Sequence, residues 1–378
     1  MSRIAVLGSG AWGTSIALSL HRHGGHQITL WSHTVDEASQ IAAAGENILF
    51  LPGFPLPSSI QITADDTAVA DAEIVVSVIP SEFLRPTLAR LRPYMHDGQI
   101  VVSATKGVED RTFLRMTEVI AACLGESTAQ ARVPDGIHRT NPDTNLEVFV
   151  EAAAPEVSSS GIAPAPRSAN EIVLPIGAFS GPSFALEVAQ GQPTAITIAF
   201  EDPEIAASIQ SEFSSETLRL YTSTDVIGVE LGGALKNVIA IAAGVAAGVG
   251  LGYNSAAALM TRGIAEITRL AVACGGRRET LAGLSGAGDL VLTCTGSLSR
   301  NRTVGQALGQ GRKLPEILAS LGGKVAEGVL TTRAALGLAR QHNIEMPITE
   351  QMEQILDEGK DPREAIKDLM LRPGKDEH

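Results

Sequence analysis

Residues 3–25, RIAVLGSGAWGTSIALSLHRHGG, constrain the fold of this chain more than any other stretch. An apolar run meets a glycine turn, and an apolar run of helical period follows until Gly24 and Gly25, residues that end helices. The pattern predicts a strand over 3–8, a turn at Ser9–Ala11, a helix over Trp12–His23 and a second strand over 26–31. Gly8, Gly10 and Gly13 fit G-x-G-x-x-G. That match is weak by itself in a chain with 38 glycines. It becomes specific when a strand precedes, a helix follows and a second strand arrives within about 30 residues. Gly8 permits the tight turn, Gly10 lets a pyrophosphate approach the backbone, and Gly13 lets the helix lie on the sheet. Free N–H groups and a positive partial charge at the helix start favour the phosphates. The residues therefore point to a dinucleotide site, with an unliganded βα turn as the bland alternative.

The continuous apolar runs EIVVSVIP (73–80) and QIVVSATKG (99–107) read as strands covered on both faces. Between them SEFLRPTLARLRPYM reads as a helix with a proline interruption, and IVLPIGAFSGPSFALEVAQG and PTAITIAF continue the alternation. Strands alternating with helices imply a doubly wound, mostly parallel sheet. After Tyr221 the strand signal stops, and helical periodicity runs through 225–250, 256–274, 303–320, 327–342 and 348–370. The expected organisation is an α/β domain over 1–221 and an all-α domain over 222–378. Residues 126–170 break the pattern. They are rich in proline and serine, have no useful period, and read as a flexible surface insertion.

A formal net charge of −13 gives no basic footprint for nucleic acid or for an anionic membrane. A small anionic substrate remains compatible, because a local cationic site can sit in an acidic protein. Cys123, Cys274 and Cys294 fit no zinc or disulfide spacing, so thiols in a reducing compartment and no metal are expected. Met1–Arg3 leaves no room for the apolar segment of a leader. The longest apolar run, NVIAIAAGVAAGVGLG, falls short of a membrane span. A cytoplasmic protein without membrane insertion is expected.

An NAD-selective site wants Asp or Glu at the end of the second strand. Here that strand ends LWSHT, and Asp36 comes several residues late, so strict NAD selectivity is not supported. His33 reads either as a contact to a 2′-phosphate or ribose, or as an exposed loop histidine. GLSGAGDL lacks the third glycine and a preceding strand, and reads as a turn between helices presenting Asp289. Lys236 lies in GVELGGALKNVIAIAAGV, where Gly232, Gly233, Ile239 and Ala240 share its helix face. Such a face leaves room for a cleft, and partial burial lowers a lysine pKa toward a useful range. A snorkelling lysine is the alternative. Lys106 follows a buried-type strand, at the end that faces the ligand crevice of an open α/β sheet. SLSRNRTVG places Ser299, Arg300, Asn301 and Arg302 before a helical run, an anion site or a simple N-cap.

With these residues assembled, the chain resembles the bacterial NAD(P)-dependent glycerol-3-phosphate dehydrogenases. The resembling segments include GSGAWGTSIA, LWSHT, SATKGVE, SGPSFALEVAQGQPTA, IGVELGGALKNVIAIAAGV, GLSGAGDLVLTCTGSLSRNRTVGQALGQG and VAEGVLTT. With FLPGFPLP, TRGIAEITRL and EMPITEQ they cover nearly the whole chain apart from 126–170. The resemblance implies an N-terminal Rossmann domain, a helical C-terminal domain, a cleft between them and a homodimer. It implies interconversion of sn-glycerol 3-phosphate and dihydroxyacetone phosphate for phospholipid synthesis, with hydride passing between C4 of NADPH or NADH and the substrate C2. Lys236 then matches the catalytic proton donor and acceptor, and Lys106 a lysine touching cofactor and substrate. Gly181, Ser183, Asp289, Ser299, Arg300 and Asn301 match substrate contacts, with Arg300 also near the cofactor. Ala11, Trp12, His33, Ala185, Val325 and Glu327 match the remaining cofactor contacts. The 126–170 segment departs from the pattern by about 40 residues, and is expected to loop outward at little cost. Two rivals stay open: a hydroxy-acid reductase of the same architecture, and a dinucleotide sensor without a proton donor.

Overall fold

In the computed structural model the structure describes residues 1–125, 138–140, 147–149, 174–320, 326–374 and 376–377. The expectations for 126–170 therefore lie largely outside the described residues, as does that for Val325.

The opening motif folds as its sequence dictates. Strand β1 (Ser2–Leu7) is followed by helix α1 (Ala11–His23) and β2 (His26–Trp31). Helix α2 (Val35–Ala44) leads to β3 (Ile60–Thr63), a strand that the mixed composition of 32–60 concealed. Strand β4 (Ile74–Ser77) is buried along its length, helix α3 (Ser81–Leu91) carries Pro86 inside it, and β5 (Ile100–Ser103) precedes α4 (Met116–Gly125). Two short strands, β6 (His138–Thr140) and β7 (Glu147–Phe149), pair antiparallel apart from the main sheet. Strand β8 (Ile176–Ser180), the short helix α5 (Ala185–Ala189), β9 (Thr194–Ala199), α6 (Pro203–Phe213) and β10 (Leu218–Ser223) complete the α/β part.

The eight-stranded sheet has the order β10-β9-β8-β5-β4-β1-β2-β3. The chain leaves β1 toward β2 and β3, then returns to the other side of β1 with β4. That reversal creates the switch point at which open α/β sheets take ligands, above the strand ends. The sheet is parallel except at one joint, where β8 and β9 run antiparallel. β9 and β10 are thus reversed relative to the rest of the sheet, although they are parallel to each other. Apolar side chains fill both faces, Ile4, Val6 and Leu30 on one and Leu7, Val75 and Leu88 on the other.

After Ser223 the only regular elements among the described residues are helices. Helix α7 (Val226–Val249) is the axis of the C-terminal part, and α8 (Tyr253–Ala273), α9 (Arg278–Leu281), α10 (Asp289–Thr295) and α11 (Arg300–Gly309) succeed it. Helices α12 (Leu314–Ser320), α13 (Glu327–Gln341), α14 (Pro347–Asp357) and α15 (Pro362–Met370) close the chain. Two expected long helices are split. The run 303–320 breaks beyond Gly309, with Gly311 at φ +88°, and 348–370 breaks at Gly359, at φ +71°. The apolar stretch read as too short for a membrane belongs to a 24-residue helix, α7, whose most apolar window has a mean hydropathy of 1.6. By length and composition α7 can cross a membrane. In the fold, 94% of that window is buried among the other helices, which accounts for its apolar character. Ala178 and Ala199 of the sheet pack on Val226 and Val229 of α7 and join the two parts.

Candidate active site

The glycine turn sits at the switch point. Gly8 has φ +114°, and an added Cβ would lie 3.0 Å from the Val78 carbonyl oxygen just beyond β4. A Cβ on Gly13 would collide with the Gly8 carbonyl oxygen, whereas one on Gly10 would meet nothing within 4 Å. Gly10 is the N-cap of α1 and offers no side chain to its first-turn N–H groups. The turn is thus tight where the backbone closes and open where a ligand approaches, and it fits a pyrophosphate. Ala11 opens α1. The Trp12 ring stacks on Phe179, with centroids 6.2 Å apart, so part of its surface is spent on packing. His33 is exposed just beyond β2, and its carbonyl accepts from Arg90 at 3.1 Å. Ala185 begins α5, and its carbonyl accepts from Ser15 of α1 at 2.7 Å.

Three charged side chains from distant parts of the chain meet in the interior. Lys106 follows β5, Lys236 lies in the middle of α7, and Asp289 opens α10 after the π-helical turn Leu284–Gly288. Asp289 is fully buried. Its Oδ2 accepts from Lys106 Nζ at 2.8 Å, and its Oδ1 accepts from Lys236 Nζ. Lys106 Nζ also reaches the Gly181 carbonyl at 3.4 Å. Thr293, one turn along α10, donates to the Asp289 carbonyl at 2.7 Å. Burial lowers the Lys236 pKa to about 7; Asp289 opposes this and the nearby Lys106 charge adds to it. The turn before Asp289 matches the expectation for GLSGAGDL.

The two glycines preceding Lys236 do not open a cleft, as their size had suggested. A Cβ on Gly232 would stand 2.6 Å from the Ser285 carbonyl oxygen, and one on Gly233 would collide with Ser180 Oγ. They let the Asp289 turn and the end of β8 press against the α7 backbone. Glycines do the same on the far side, where Gly244 meets the Arg302 carbonyl and Gly305 the Ile241 carbonyl. That contact places the start of α11 beside α7.

At that start Ser299 is the N-cap, its Oγ accepting from the Arg302 amide at 3.2 Å, so the bland reading of Ser299 holds for its side chain. Asn301 is buried, and its Oδ1 accepts from the Gly328 amide at 3.0 Å. Arg300 is exposed and makes no hydrogen bond or ion pair among the described residues. Glu327 opens α13, and its Oε2 accepts from Asn237 Nδ2 at 3.4 Å. Burial raises the Glu327 pKa, against the pull of Arg300, Lys106 and Lys236. Gly181 takes φ +155°, and Ser183 Oγ donates to its carbonyl at 2.9 Å. Sequence reasoning passed over Asn237 and Thr293. The i, i+4 spacing of Asp289 and Thr293 was a readable signal for one of them. Among the described residues no cluster of His, Cys, Asp or Glu is arranged to hold a metal.

This arrangement pairs a dinucleotide cradle with a buried lysine poised to gain or lose a proton. The family model described as the N-terminus of NAD-dependent glycerol-3-phosphate dehydrogenase matches residues 3–134 and 166–206, and that of its C-terminus matches 225–367. The chain is 52% identical over 381 aligned residues to the glycerol-3-phosphate dehydrogenase [NAD(P)+] of Acidobacterium capsulatum, covering all of both chains. It is 51% identical to that of Koribacter versatilis, covering 100% of this chain and 99% of the relative. Both alignments span the 126–170 segment, while the family model leaves 135–165 unmatched. Among solved structures, the glycerol-3-phosphate dehydrogenase of Coxiella burnetii is 34% identical with a TM-score of 0.82, over 98% of this chain and 99% of that one. That of Saccharomyces cerevisiae is 22% identical with a TM-score of 0.74, over 97% and 98%, a likeness of fold.

Proposed function

Because this chain belongs to the NAD(P)-dependent glycerol-3-phosphate dehydrogenases, we propose that its Lys106–Asp289–Lys236 group, built on the buried Asp289 and Lys236, performs the proton chemistry of that reaction. The enzyme interconverts glycerol 3-phosphate and dihydroxyacetone phosphate with an NAD(P) cofactor. The observation that carries the reading is Lys236, buried, bonded to Asp289 and lowered to about pKa 7. A general acid–base group works best with a pKa near the operating pH.

The residues that would hold the cofactor are Gly8, Gly10, Ala11, Trp12 and Gly13 at the glycine turn, His33 at the strand tip, and Lys106, Ala185, Arg300 and Glu327 along the cleft; Val325 is carried by the family resemblance. When bound, the nicotinamide supplies two electrons and a carbon-bound hydrogen to the substrate carbonyl. Lys236, as ammonium, gives its Nζ proton to the C2 oxygen during reduction. As amine, it takes the C2 hydroxyl proton during oxidation. Asp289 holds Lys236 in place and balances the charge of Lys106. The exposed Arg300 guanidinium and the start of α11 at Ser299–Asn301 grip the substrate phosphate. Gly181, whose carbonyl accepts from Lys106, and Ser183 add substrate contacts that the family resemblance implies. Binding energy from the phosphate end places C2 for reaction.

In our reading the chain divides into a dinucleotide-binding domain over 1–221 and a helical domain over 222–378. The change from sheet to helices, between the end of β10 at Ser223 and the start of α7 at Val226, supports a boundary just past Tyr221. We read the enzyme as a cytoplasmic homodimer that works in the reductive direction for phospholipid synthesis, with the 126–170 segment as a surface insertion. Absorbance at 340 nm, followed with dihydroxyacetone phosphate and each reduced cofactor, tests the assignment. Oxidation is expected with wild type and not with Lys236→Ala, in protein that still binds cofactor. Equal turnover by both proteins would remove Lys236 from the reaction.

A further inference from the structure

The end of β2 meets the adenosine side of a dinucleotide seated on the first turn. In this chain β2 ends at Trp31, and Ser32, His33 and Thr34 follow without a carboxylate. Helix α2 brings one back. Thr34 is its N-cap, with Oγ1 accepting from the Glu37 amide at 3.2 Å. T-x-x-E is the capping-box spacing, in which the glutamate ordinarily returns to the N-cap amide. Here Glu37 Oε1 instead accepts from Ser9 Oγ at 2.6 Å. Ser9 is the residue between Gly8 and Gly10, and its Oγ also lies 2.6 Å from Ser32 Oγ. A hydroxyl carries one proton. With the Ser9 proton given to the carboxylate, Ser32 must be the donor to Ser9. The relay from Ser32 through Ser9 therefore ends in a negative charge at the glycine turn itself.

That charge is not matched locally. Glu37 forms no ion pair among the described residues. Arg90 reaches the same strand tip, but its Nε and Nη2 grip the Asp66 carboxylate, each at 2.7 Å. Its Nη1 donates to the His33 carbonyl, and its guanidinium lies 5.3 Å from the centroid of the Trp31 ring. Arg90 is thus neutralised by Asp66 and held against Trp31.

We propose that Glu37, anchored through Ser9, is the residue that sets dinucleotide preference, and that it favours NADH over NADPH. The inference rests on the dinucleotide reading of the glycine turn. A carboxylate at this position accepts hydrogen bonds from ribose hydroxyls and repels a 2′-phosphate.

The test is a fluorescence titration of NADH and NADPH into the full chain, alongside competition by AMP and 2′-AMP, which needs no variant. Wild type is expected to bind NADH at least about tenfold more tightly than NADPH, and to discriminate against the 2′-phosphate of 2′-AMP by a similar factor. Glu37→Gln keeps an acceptor for Ser9 and removes the charge, so the NADH/NADPH affinity ratio should fall about tenfold. Equal binding of the two dinucleotides by wild type, tighter NADPH, or a Glu37→Gln variant that moves both affinities together would each overturn the proposal. Absence of binding by either dinucleotide would overturn the cofactor reading with it.

Discussion

Asp289 holds two lysines on its two oxygens: Lys106 Nζ at 2.8 Å from Oδ2, and Lys236 Nζ on Oδ1. One buried negative charge thus faces up to two positive ones. The group is neutral when Lys236 is an amine and carries one excess positive charge when it is an ammonium. Protonation of Lys236 is therefore linked to the arrival of an anionic substrate, which supplies the missing negative charge.

Asp289→Asn removes the charge that supports the Lys236 ammonium. Since Asp289 raises the Lys236 pKa, its loss lowers that pKa further, and the acid limb of the oxidation pH profile should move to lower pH. The maximal rate should fall by about 10²–10⁴ through loss of positioned proton transfer. A profile shifted to higher pH would contradict the arrangement.

The two glycines after Gly8 separate folding from binding. Gly10→Ala places a methyl where nothing lies within 4 Å, so the melting temperature should hold, while cofactor affinity drops about tenfold or more as the methyl meets the phosphates. Gly13→Ala drives a methyl into the Gly8 carbonyl and should destabilise the protein by about 1–3 kcal/mol. Thermal unfolding and cofactor titration on both variants distinguish the two effects.

Glu230 of α7 is buried and accepts from the Thr117 amide at 2.8 Å, Thr117 Oγ1 at 2.6 Å and Arg115 Nη1 at 2.6 Å. It ties the start of α4 to the helix that carries Lys236. Glu230→Ala leaves the Thr117 donors without their acceptor and removes one of two carboxylates on Arg115, which keeps Glu118 at 2.8 Å. It should cost about 1–3 kcal/mol by denaturant unfolding. Replacing both charges, Arg115→Met with Glu230→Met, still leaves the Thr117 donors without an acceptor and should recover only part of that loss.

How much of this was legible in the sequence follows from how local each signal is. The first 25 residues carry their own fold, because the glycine pattern and the helix stop lie next to each other in the chain. The antiparallel joint of β8 and β9 was not legible, since an apolar run does not encode its direction. The helix breaks at Gly311 and Gly359 were visible as glycines but not as breaks, because a glycine in sequence does not declare the positive φ it takes in the fold. At the site, Lys236 and Lys106 stood out as charges in apolar surroundings. Their shared partner Asp289 is 53 residues from one and 183 from the other, so only the fold joins them. Glu37 was missed for a similar reason. It lies beyond the strand tip in sequence, and Thr34 and Ser9 draw it back to the turn.

The depressed Lys236 pKa also makes stability depend on pH. The folded value is about 7, against an ordinary value of 10.5. Between these values the unfolded chain binds a proton that the folded chain does not. The unfolding free energy therefore rises with pH across that window and loses this dependence outside it. Lys236→Met abolishes the titration, so the difference between wild type and variant should grow in favour of wild type from pH 7 toward pH 10, by denaturant unfolding at matched ionic strength. The kinetic counterpart has the opposite sign in the two directions. Carbonyl reduction needs the ammonium and should slow as pH rises through about 7, whereas alcohol oxidation needs the amine and should quicken over the same range. Profiles that move together in the two directions would show that Lys236 does not carry the proton.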